Sequence, residues 1–444
     1  MDINLSKIKH IHFIGIGGIG ISAIARMMML EKKVVTGQDM QDSNITSELQ
    51  TLGATITIGQ SVDTIPKDAE LIVYTIAIEK YDPSLFEKLK RQPIPMRSYP
   101  EMLHIVTEGK YTIAISGTHG KTTTTAMLAD ILVDAHLDPT VVVGSLLVNG
   151  ASKDASHGTN LIAGKSKYFV VEACEYRRSF LNINPNILVI TNIDADHLDY
   201  YKDIEDIKSA FRELAMKVPT DGFIVCDPDA PYVKEVVEGV AATVVNYNPH
   251  IHLSLQLKVP GLFNKKNAAA AKAVAHILAV TDAQIGLSLG AFKGTWRRFE
   301  FKGTLPSGAL VYDDYAHHPT EITATLQGFR ELYPKDAGWK VTVVFQPHLF
   351  SRTKALLSEF AASFIDADYV LVLPIYQARE EDDGTISAAS LSEQITGPFA
   401  LAFGSFEEAE MHIGKQNLGP KDIIVTMGAG EAFKIADNLL KEIV

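Results

Sequence analysis

Short apolar runs alternate with helix-forming segments along the whole chain. YTIAIS, VVVGSL, KYFVVE and NILVIT each have the length of a buried strand and lead into glycine or polar residues. Between them, Ile204, Ile207, Phe211, Leu214 and Val218 recur at the spacing of one helix face. Strands of this kind alternating with helices predict an α/β protein built on doubly wound, largely parallel sheets.

The same alternation occurs in three segments. The stretch RQPIPMRSYP, with three prolines, marks the end of the first segment, and TWRRFEF ends the second. We predict three domains: a Rossmann-like domain over 1–107, a central P-loop ATPase-like domain with a parallel sheet over 108–302, and a smaller Rossmann-like domain over 303–444.

Composition narrows the class of protein. The net charge of -12 over 444 residues, with no concentrated basic run, argues against a nucleic-acid partner. The two cysteines, Cys174 and Cys226, are too few for a disulfide framework and suit a reducing compartment. No apolar stretch resembles a signal peptide or a membrane span, so we expect a cytoplasmic protein without integral membrane association.

The segment YTIAISGTHGKTTTTAML has the order strand, glycine turn, helix. Gly117 and Gly120 allow backbone N–H groups to converge on an anion, Lys121 adds a mobile charge, and Thr122 offers a hydroxyl to a bound Mg²⁺. The strict Walker pattern has its first glycine where Ile115 stands, so this is a variant cradle. A tight turn that binds nothing would explain the glycines but not the lysine and threonines. We predict a nucleoside triphosphate site.

A second glycine turn follows the first apolar run. Gly15, Gly17, Gly18 and Gly20 precede the helical ISAIARMMML, and Asp39 ends the next strand. This pattern predicts a nucleotide diphosphate at the helix N-terminus without saying which nucleotide. Close packing of small residues is the alternative, and a nicotinamide-dependent oxidoreductase is one function that the turn would also fit.

Two strand ends in the second segment carry metal-binding side chains. Glu172 and Glu175 lie in VEACEY, and His197 lies in NIDADHLD with three aspartates. Because the ends of parallel strands share one sheet edge, these groups would lie beside the cradle and hold Mg²⁺ on the triphosphate. The alternative for the aspartates is a capped helix start.

Polar side chains also follow strands of the third segment. Arg297 and Arg298 could clamp phosphate or be a solvated pair. The strand ends DDYAHHP and FQPHLFSRT would place histidines near a cleft, where they could position or deprotonate an amine, while an arginine binds a carboxylate. These candidates are Asp313, Asp314, Tyr315, His317, His318, His348 and Arg352.

The ordered set of motifs resembles the Mur ligases of peptidoglycan synthesis. It comprises GIGGIGISAIA, GTHGKTTTT, EACEYRRSF, TNIDADHLD, NKKNAAAA, WRRFE, DDYAHHPTEI and FQPHLFSRT, and it runs from about residue 10 to the C-terminus. Within the family, the motifs are most similar to those of the members that attach L-alanine to UDP-N-acetylmuramate. This resemblance implies a three-domain ATP-dependent ligase, monomeric or dimeric, that serves cell-wall synthesis and hence cell shape and division.

The resemblance also implies a role for each motif residue. ATP and Mg²⁺ (or Mn²⁺) would be bound by Gly117, Thr118, His119, Gly120, Lys121, Thr122, Thr123, Asn264, Asn267, Arg297 and Asp314. The metal ligands among the site residues would be Thr122, Glu172 and His197. The UDP-sugar and the amino acid would be bound by Gly15, Gly17, Gly18, Gly20, Asp39, Tyr315, His348 and Arg352. The residues implied in catalysis are Lys121, Glu172, His197, His317 and Arg352.

In such a ligase the γ-phosphoryl of ATP passes to the lactyl carboxylate, and the amine of L-alanine attacks the acyl phosphate. A recycling ligase that attaches a tripeptide to the same UDP-sugar is the alternative within the family, and a non-catalytic nucleotide-binding regulator is the alternative outside it. Three residues depart from the family pattern: Leu349 replaces a frequent arginine, Phe263 a frequent histidine, and Cys174 an acidic residue.

Overall fold

The computed structural model describes residues 3–147, 158–251, 257–378 and 380–441. Their strands form three sheets, numbered here in chain order. Close approach of residues divides the chain into two units, residues 1–250 with 269–289 and residues 251–268 with 290–444. The first unit contains two sheets and the second contains one.

The first sheet has five parallel strands in the order β3-β2-β1-β4-β5, as in a Rossmann-like domain. Its strands are β1 (His10–Ile14), β2 (Val34–Asp39), β3 (Thr55–Ile58), β4 (Leu71–Tyr74) and β5 (Met96–Ser98). The helices are α1 (Ile19–Leu30), α2 (Asn44–Thr51), α3 (Ala77–Tyr81), α4 (Pro83–Lys90) and α5 (Tyr99–Thr107). The glycine turn joins β1 to α1, and Asp39 ends β2, so the predicted strand–turn–helix context is confirmed.

The second sheet has seven strands in the order β12-β11-β10-β6-β9-β7-β8. Its strands are β6 (Tyr111–Ser116), β7 (Thr140–Leu147), β8 (Thr159–Ile162), β9 (Tyr168–Glu172), β10 (Ile187–Ile190), β11 (Phe223–Cys226) and β12 (Thr243–Asn246). Only the β7–β8 pair is antiparallel among these described strands. The helices that follow are α6 (Lys121–Asp134), α7 (Ile204–Ala215), α8 (Val233–Val237), α9 (Leu262–Ile277) and α10 (Asp282–Ala291). The order places β6 between β9 and β10, so the ends of these three strands meet at one sheet edge.

The third sheet has six strands in the order β13-β14-β18-β15-β16-β17. Its strands are β13 (Glu300–Thr304), β14 (Leu310–Asp314), β15 (Lys340–Phe345), β16 (Tyr369–Val372), β17 (Phe399–Ala402) and β18 (Asp422–Met427). The helices are α11 (Pro319–Leu332), α12 (Phe350–Ala355), α13 (Leu357–Ser363), α14 (Ala388–Ser392), α15 (Phe406–Gly414) and α16 (Phe433–Lys441). The antiparallel strand β13 pairs with β14, so the predicted boundary after residue 302 falls inside a strand. The domain boundaries stay predictions.

Hydrophobic spacing explains why the helices pack on the sheets. In α7, Ile207, Phe211 and Leu214 are buried on the predicted apolar face. Asp203 caps the helix, since its side chain accepts a hydrogen bond from the Asp206 N–H. The predicted amphipathic helix is confirmed over Ile204–Ala215, and Val218, also buried, lies beyond its end. Among the described residues, no helix is both long and apolar enough to cross a bilayer.

Candidate functional site

The turn between β6 and α6 has the backbone shape of a phosphate cradle. Gly117 has φ +130°, and a Cβ atom there would lie 2.0 Å from Oγ1 of Thr191. Gly120 is the N-cap of α6 with φ +85°. Both positions therefore require glycine. The N–H groups at the start of the helix that follows, α6, are of the kind that binds anions.

The loop that follows β10 holds this turn in place. The Thr118 and His119 N–H groups donate to the backbone and side-chain oxygens of Asn192, at 3.1 and 2.9 Å. The hydroxyl of Thr118 accepts from the Asp194 N–H at 2.9 Å, and His119 Nε2 lies 3.1 Å from Asp194 Oδ2. Thr118 and His119 thus brace the cradle against the neighbouring strand end. Thr123 is also buried, in the first turn of α6.

The Lys121 side chain is folded back over its own turn. Its Nζ donates to the carbonyl oxygens of Gly117 and Thr118 at 2.6 and 2.9 Å. The same ammonium lies 3.1 Å from Oε1 and 2.9 Å from Oε2 of Glu175, a carboxylate from the segment after β9. A positive charge is therefore held at the mouth of the cradle.

Mutual attraction keeps both members of this pair ionised. Burial acts to lower the pKa of Lys121, but Glu175, Cys174 and Glu172 together outweigh burial, and the pKa lies above the usual lysine value. Burial acts to raise the pKa of Glu175, but Lys121 and His197 outweigh it, and the pKa lies below the usual value. Both shifts favour the ion pair.

The predicted metal carboxylate, Glu172, lies at the end of β9 beside the cradle. The hydroxyl of Thr122 donates to Glu172 Oε1 at 3.0 Å, and the N–H of Gly144 donates to Oε2 at 2.7 Å. A Cβ atom at Gly144 would lie 2.7 Å from Glu172 Oε1. The strand β7 therefore leaves room for this carboxylate and orients it. A hydroxyl and a carboxylate in contact at a triphosphate cradle are a donor set that fits a hard divalent cation.

His197 lies beside the Lys121–Glu175 pair. Its Nε2 is 3.5 Å from Glu175 Oε1, and its ring is 4.8 Å from that of Tyr176. The residue has φ +54°, so the loop after β10 turns sharply to bring the imidazole here. The structure thus places Lys121, Thr122, Glu172 and His197 at one sheet edge.

The first glycine turn, between β1 and α1, is hydrogen-bonded to the Asp39 carboxylate at the end of β2. The Gly17 N–H donates to Asp39 Oδ2 at 2.8 Å, and Gly15 has φ +75°. Gly18 is the N-cap of α1, and Gly20 lies so close to the Tyr99 ring that a Cβ atom would be 2.6 Å from Tyr99 Cζ. The four glycines and Asp39 are brought together as the sequence predicts, and their role in binding a UDP-sugar stays a prediction.

In the second unit, Arg297 and Asp314 are buried. Arg297 is 3% exposed, and its Nε lies 2.8 Å from Asp313 Oδ2 while Nη1 and Nη2 donate to the carbonyls of Gly430 and Gly428. Burial raises the pKa of Asp314 to about 6, against the opposing influence of Arg298 and two backbone N–H groups. Arg297 is therefore buried and links the end of β14 to the segment that follows β18.

The two predicted adenine-facing residues lie in the first turns of α9. Asn264 donates to the Pro260 carbonyl at 2.7 Å, and Nδ2 of Asn267 donates to Oδ1 of Asn264 at 3.4 Å. Phe263 precedes them on the same helix. Their contact with adenine stays a prediction.

The predicted amino-acid residues gather in the second unit. The rings of His317 and His348 are 5.9 Å apart, and Arg352 Nη1 is 3.3 Å from His348 Nδ1. The Tyr315 ring is 5.3 Å from that of His317. Tyr376 stacks on His348 with 5.6 Å between ring centroids. These side chains form one polar and aromatic cluster.

Three residues of these sites have contacts that the sequence did not predict. Glu175 was expected, with Glu172, to hold a metal ion, whereas in the structure its carboxylate pairs with Lys121. Gly144 stands in the apolar run VVVGSL, where the glycine was the available signal. Tyr376 lies in YVLVLPIYQAREED, a strand-like run with a polar exit of the kind where open α/β sheets place ligand groups, but its stacking on His348 was not predicted.

Three models of protein families match most of the chain. The Mur ligase family catalytic domain matches residues 10–111, the Mur ligase middle domain matches 115–248, and the Mur ligase glutamate ligase domain matches 297–430. The chain is 40% identical to the UDP-N-acetylmuramate–L-alanine ligase of Acetivibrio thermocellus, covering 98% of this chain and 97% of the relative. The enzyme of the same name from Clostridium kluyveri is also 40% identical, with full coverage of both chains.

Solved structures agree with the sequence relatives. The UDP-N-acetylmuramate-alanine ligase of Thermotoga maritima superposes with a TM-score of 0.79 at 26% identity, covering 98% of this chain and 99% of that one. A murein peptide ligase from Psychrobacter arcticus gives a TM-score of 0.72 at 25% identity, with 98% of both chains covered. The match extends over all three sheets, and the chain belongs to the Mur ligase family.

Proposed function

We propose that this protein ligates L-alanine to the lactyl carboxylate of UDP-N-acetylmuramate, using ATP and releasing ADP and phosphate. The full-length similarity to the L-alanine ligases named above supports this substrate pair, and the reaction is a step of peptidoglycan synthesis. The structural observation that carries the proposal is the cluster of Lys121, Thr122, Glu172 and His197 at the end of β6 and its neighbours. We place the reaction in the cytoplasm, where ATP is available.

The chemistry follows from the poor electrophilicity of a carboxylate. Transfer of the γ-phosphoryl group from ATP to the lactyl oxygen makes an acyl phosphate, and the amine of L-alanine then attacks the carbonyl carbon. The tetrahedral intermediate collapses with loss of phosphate. Enzymes of phosphoryl transfer act mainly by positioning reactants and neutralising charge.

The residues at the cradle supply those two contributions. The N–H groups at the start of α6 would hold the phosphates, and the Lys121 ammonium would neutralise charge on the β- and γ-phosphoryl oxygens. Thr122 and Glu172 would hold one divalent cation and His197 a second, with Mg²⁺ as the proposed ion. A bound divalent cation supplies charge neutralisation on the phosphoryl oxygens.

We assign amino-acid binding to the cluster in the second unit. Arg352, whose guanidinium touches His348, would pair with the carboxylate of L-alanine. His317 and Tyr315 would orient the amine. Since Leu349 stands beside His348 where an arginine is frequent in the family, carboxylate recognition would depend mainly on Arg352.

The alternatives make different predictions for one assay. The protein is incubated with UDP-N-acetylmuramate, ATP and Mg²⁺ plus L-alanine, glycine, L-serine or a murein tripeptide, and the UDP product is analysed by mass. We expect the L-alanine adduct to form fastest, with phosphate release that requires both the UDP-sugar and the amino acid. Preferred formation of the tripeptide adduct would assign the recycling reaction, and phosphate release independent of both acceptors would contradict ligation.

A variant of the cradle lysine tests the role of the cradle itself. Lys121→Ala is expected to abolish product, and near-normal ligation by this variant would refute the role assigned to the cradle. Circular dichroism of the variant would verify that it is folded.

A further inference from the structure

The buried carboxylate of Glu175 contacts the cradle lysine and has no part in the reaction steps given above. Glu175 is only 2% exposed, and its carboxylate oxygens lie 2.9 Å from Lys121 Nζ and 3.5 Å from His197 Nε2. Taking a carboxylate out of water is costly unless charged partners compensate it. Glu175 has two such partners, Lys121 and His197, and both belong to the proposed phosphate and metal site.

The contacts of Lys121 show which partner it can keep when a nucleotide arrives. An ammonium group has three N–H donors, and here they meet the Gly117 carbonyl, the Thr118 carbonyl and the Glu175 carboxylate. A phosphate oxygen can be contacted only if a present acceptor is released. The two loop carbonyls are neutral acceptors, whereas the Glu175 carboxylate is charged. The hydrogen bonds to the carbonyls are therefore the weaker ones, and Lys121 can exchange them for phosphate oxygens more easily.

The backbone of Glu175 is held in place by two hydrogen bonds. Its carbonyl oxygen accepts hydrogen bonds from the Arg178 N–H at 2.9 Å and from the Tyr201 hydroxyl at 2.5 Å. Tyr201 is itself buried. These bonds fix the backbone from which the buried Glu175 side chain extends, while Lys121 has the longer and more adjustable side chain.

We propose that Glu175 is a positioning residue that fixes where the Lys121 ammonium and the His197 imidazole lie relative to each other. When phosphate oxygens replace the Gly117 and Thr118 carbonyls around the ammonium, Glu175 keeps its contact with Lys121. The proposal rests on the proposed function, since the phosphate belongs to ATP in that reaction. Glu175 acts through Lys121 and His197 and touches no substrate.

This arrangement has a kinetic consequence. The Glu175 carboxylate neutralises part of the lysine charge, so it does not strengthen ground-state binding of ATP. It does limit where the ammonium can go, which matters for the transferring phosphoryl group. Loss of such a restraint lowers kcat more than it raises KM, because the interaction that is lost belongs to the transition state.

The experiment compares Glu175→Gln with wild type in steady-state ligation of L-alanine to UDP-N-acetylmuramate. Glutamine keeps the size and the hydrogen-bonding oxygen but loses the charge. We expect kcat to fall at least 30-fold while KM for ATP changes less than threefold. The matched control is Glu213→Gln, which neutralises an exposed carboxylate 3.3 Å from Arg178 and should leave both constants unchanged.

A kcat for Glu175→Gln within threefold of wild type would overturn the proposal. So would a fall in kcat that is fully explained by a smaller fraction of folded protein, measured by titrating sites with a non-hydrolysable ATP analogue. If wild type itself fails to ligate, the proposed function fails, and that outcome is separate from a fully active Glu175→Gln.

A second pair of variants tests the contact without removing either charge. Glu175→Asp shortens the carboxylate, and Lys121→Arg lengthens the cation. We expect kcat to be lower in each single variant. The fold reduction in the double variant should be clearly smaller than the product of the two single fold reductions, because the two side chains interact directly. Independent, multiplicative losses would overturn the proposal even if Glu175→Gln could not be purified folded.

Discussion

Gly144 provides a test of the proposed metal carboxylate through a residue that would touch neither metal nor nucleotide. The glycine lies on β7, beside β9, and its N–H donates to Glu172 Oε2 at 2.7 Å. Its φ is not in the left-handed region, so an alanine fits the backbone without strain. The added methyl group would meet the Glu172 carboxylate at 2.7, 2.8 and 2.9 Å.

The size of the effect follows from these distances. An ordinary van der Waals contact begins at 3.4 Å, so Glu172 Oε1 must retreat by about 0.7 Å in Gly144→Ala. The retreat strains the hydrogen bond from residue 144 to a charged acceptor, a type of bond that contributes roughly 1.5–3 kcal/mol. Changes that displace a metal ligand through its hydrogen-bond partner typically reduce metal affinity or activity about 10- to 100-fold. We expect a loss of kcat in that range.

The assay is phosphate release in the complete reaction, measured over a range of Mg²⁺ concentrations. Gly144→Ala should require about tenfold more Mg²⁺ for half-maximal rate, in line with such displacements. The matched control is Gly286→Ala in α10, where no heavy atom of the described residues outside its own helix and chain neighbours lies within 4 Å of the new Cβ. Wild-type Mg²⁺ dependence and rate in Gly144→Ala would refute the assignment of Glu172 as a metal ligand.

Three further substitutions test the cradle and the buried charges of the second unit. Gly117→Ala should weaken binding of a non-hydrolysable ATP analogue at least tenfold by calorimetry, because its Cβ would collide with Thr191 Oγ1 at 2.0 Å; unchanged affinity would show that the turn is not the phosphate site. Arg297→Met should lower the free energy of unfolding in urea by about 3–5 kcal/mol, since it leaves Asp313 buried and unpaired. A change confined to KM for ATP would instead support the phosphate contact implied by the family resemblance. Burial raises the pKa of Asp314 to about 6 from an ordinary 3.8, so the native state binds more protons and stability falls as pH rises between these values. Between these pH values Asp314 lowers the free energy of unfolding by about 3 kcal/mol, and Asp314→Asn should remove this change. If the free energy of unfolding of the variant depends on pH as in wild type, the raised pKa of Asp314 is contradicted.

The cradle could be predicted from sequence because its parts are local. Gly117, Gly120, Lys121 and Thr122 lie within six residues, and a strand and a helix on either side fix their geometry. The same is true of the first glycine turn, where only Asp39 comes from another element. Local spacing was also enough to predict the amphipathic helix α7.

The pairings around the cradle could not be predicted because they depend on strand order. Lys121, Gly144 and Glu175 follow or lie on β6, β7 and β9, and these come together only because β9 lies between β6 and β7 in the sheet. The sequence shows three segments that each contain a strand, but it does not show which strands are neighbours. Glu175 was therefore interpreted as one more carboxylate for a metal.

Arg297 illustrates a second limit. The sequence indicates an arginine in an aromatic segment, which is compatible with a phosphate clamp or an exposed pair. Its actual acceptors are the Asp313 carboxylate and the Gly428 and Gly430 carbonyls, the last two more than 130 residues away along the chain. Neither alternative considered from sequence included a buried guanidinium that holds the third sheet together.

The most direct test of the account follows one oxygen atom. UDP-N-acetylmuramate labelled with ¹⁸O in its lactyl carboxylate is ligated to L-alanine with unlabelled ATP in unlabelled water, and the released phosphate is analysed by mass. Transfer of the γ-phosphoryl group to the carboxylate predicts that each released phosphate carries one oxygen from the lactyl group. Phosphate released without the label, with the amide product still formed, would contradict the acyl-phosphate mechanism.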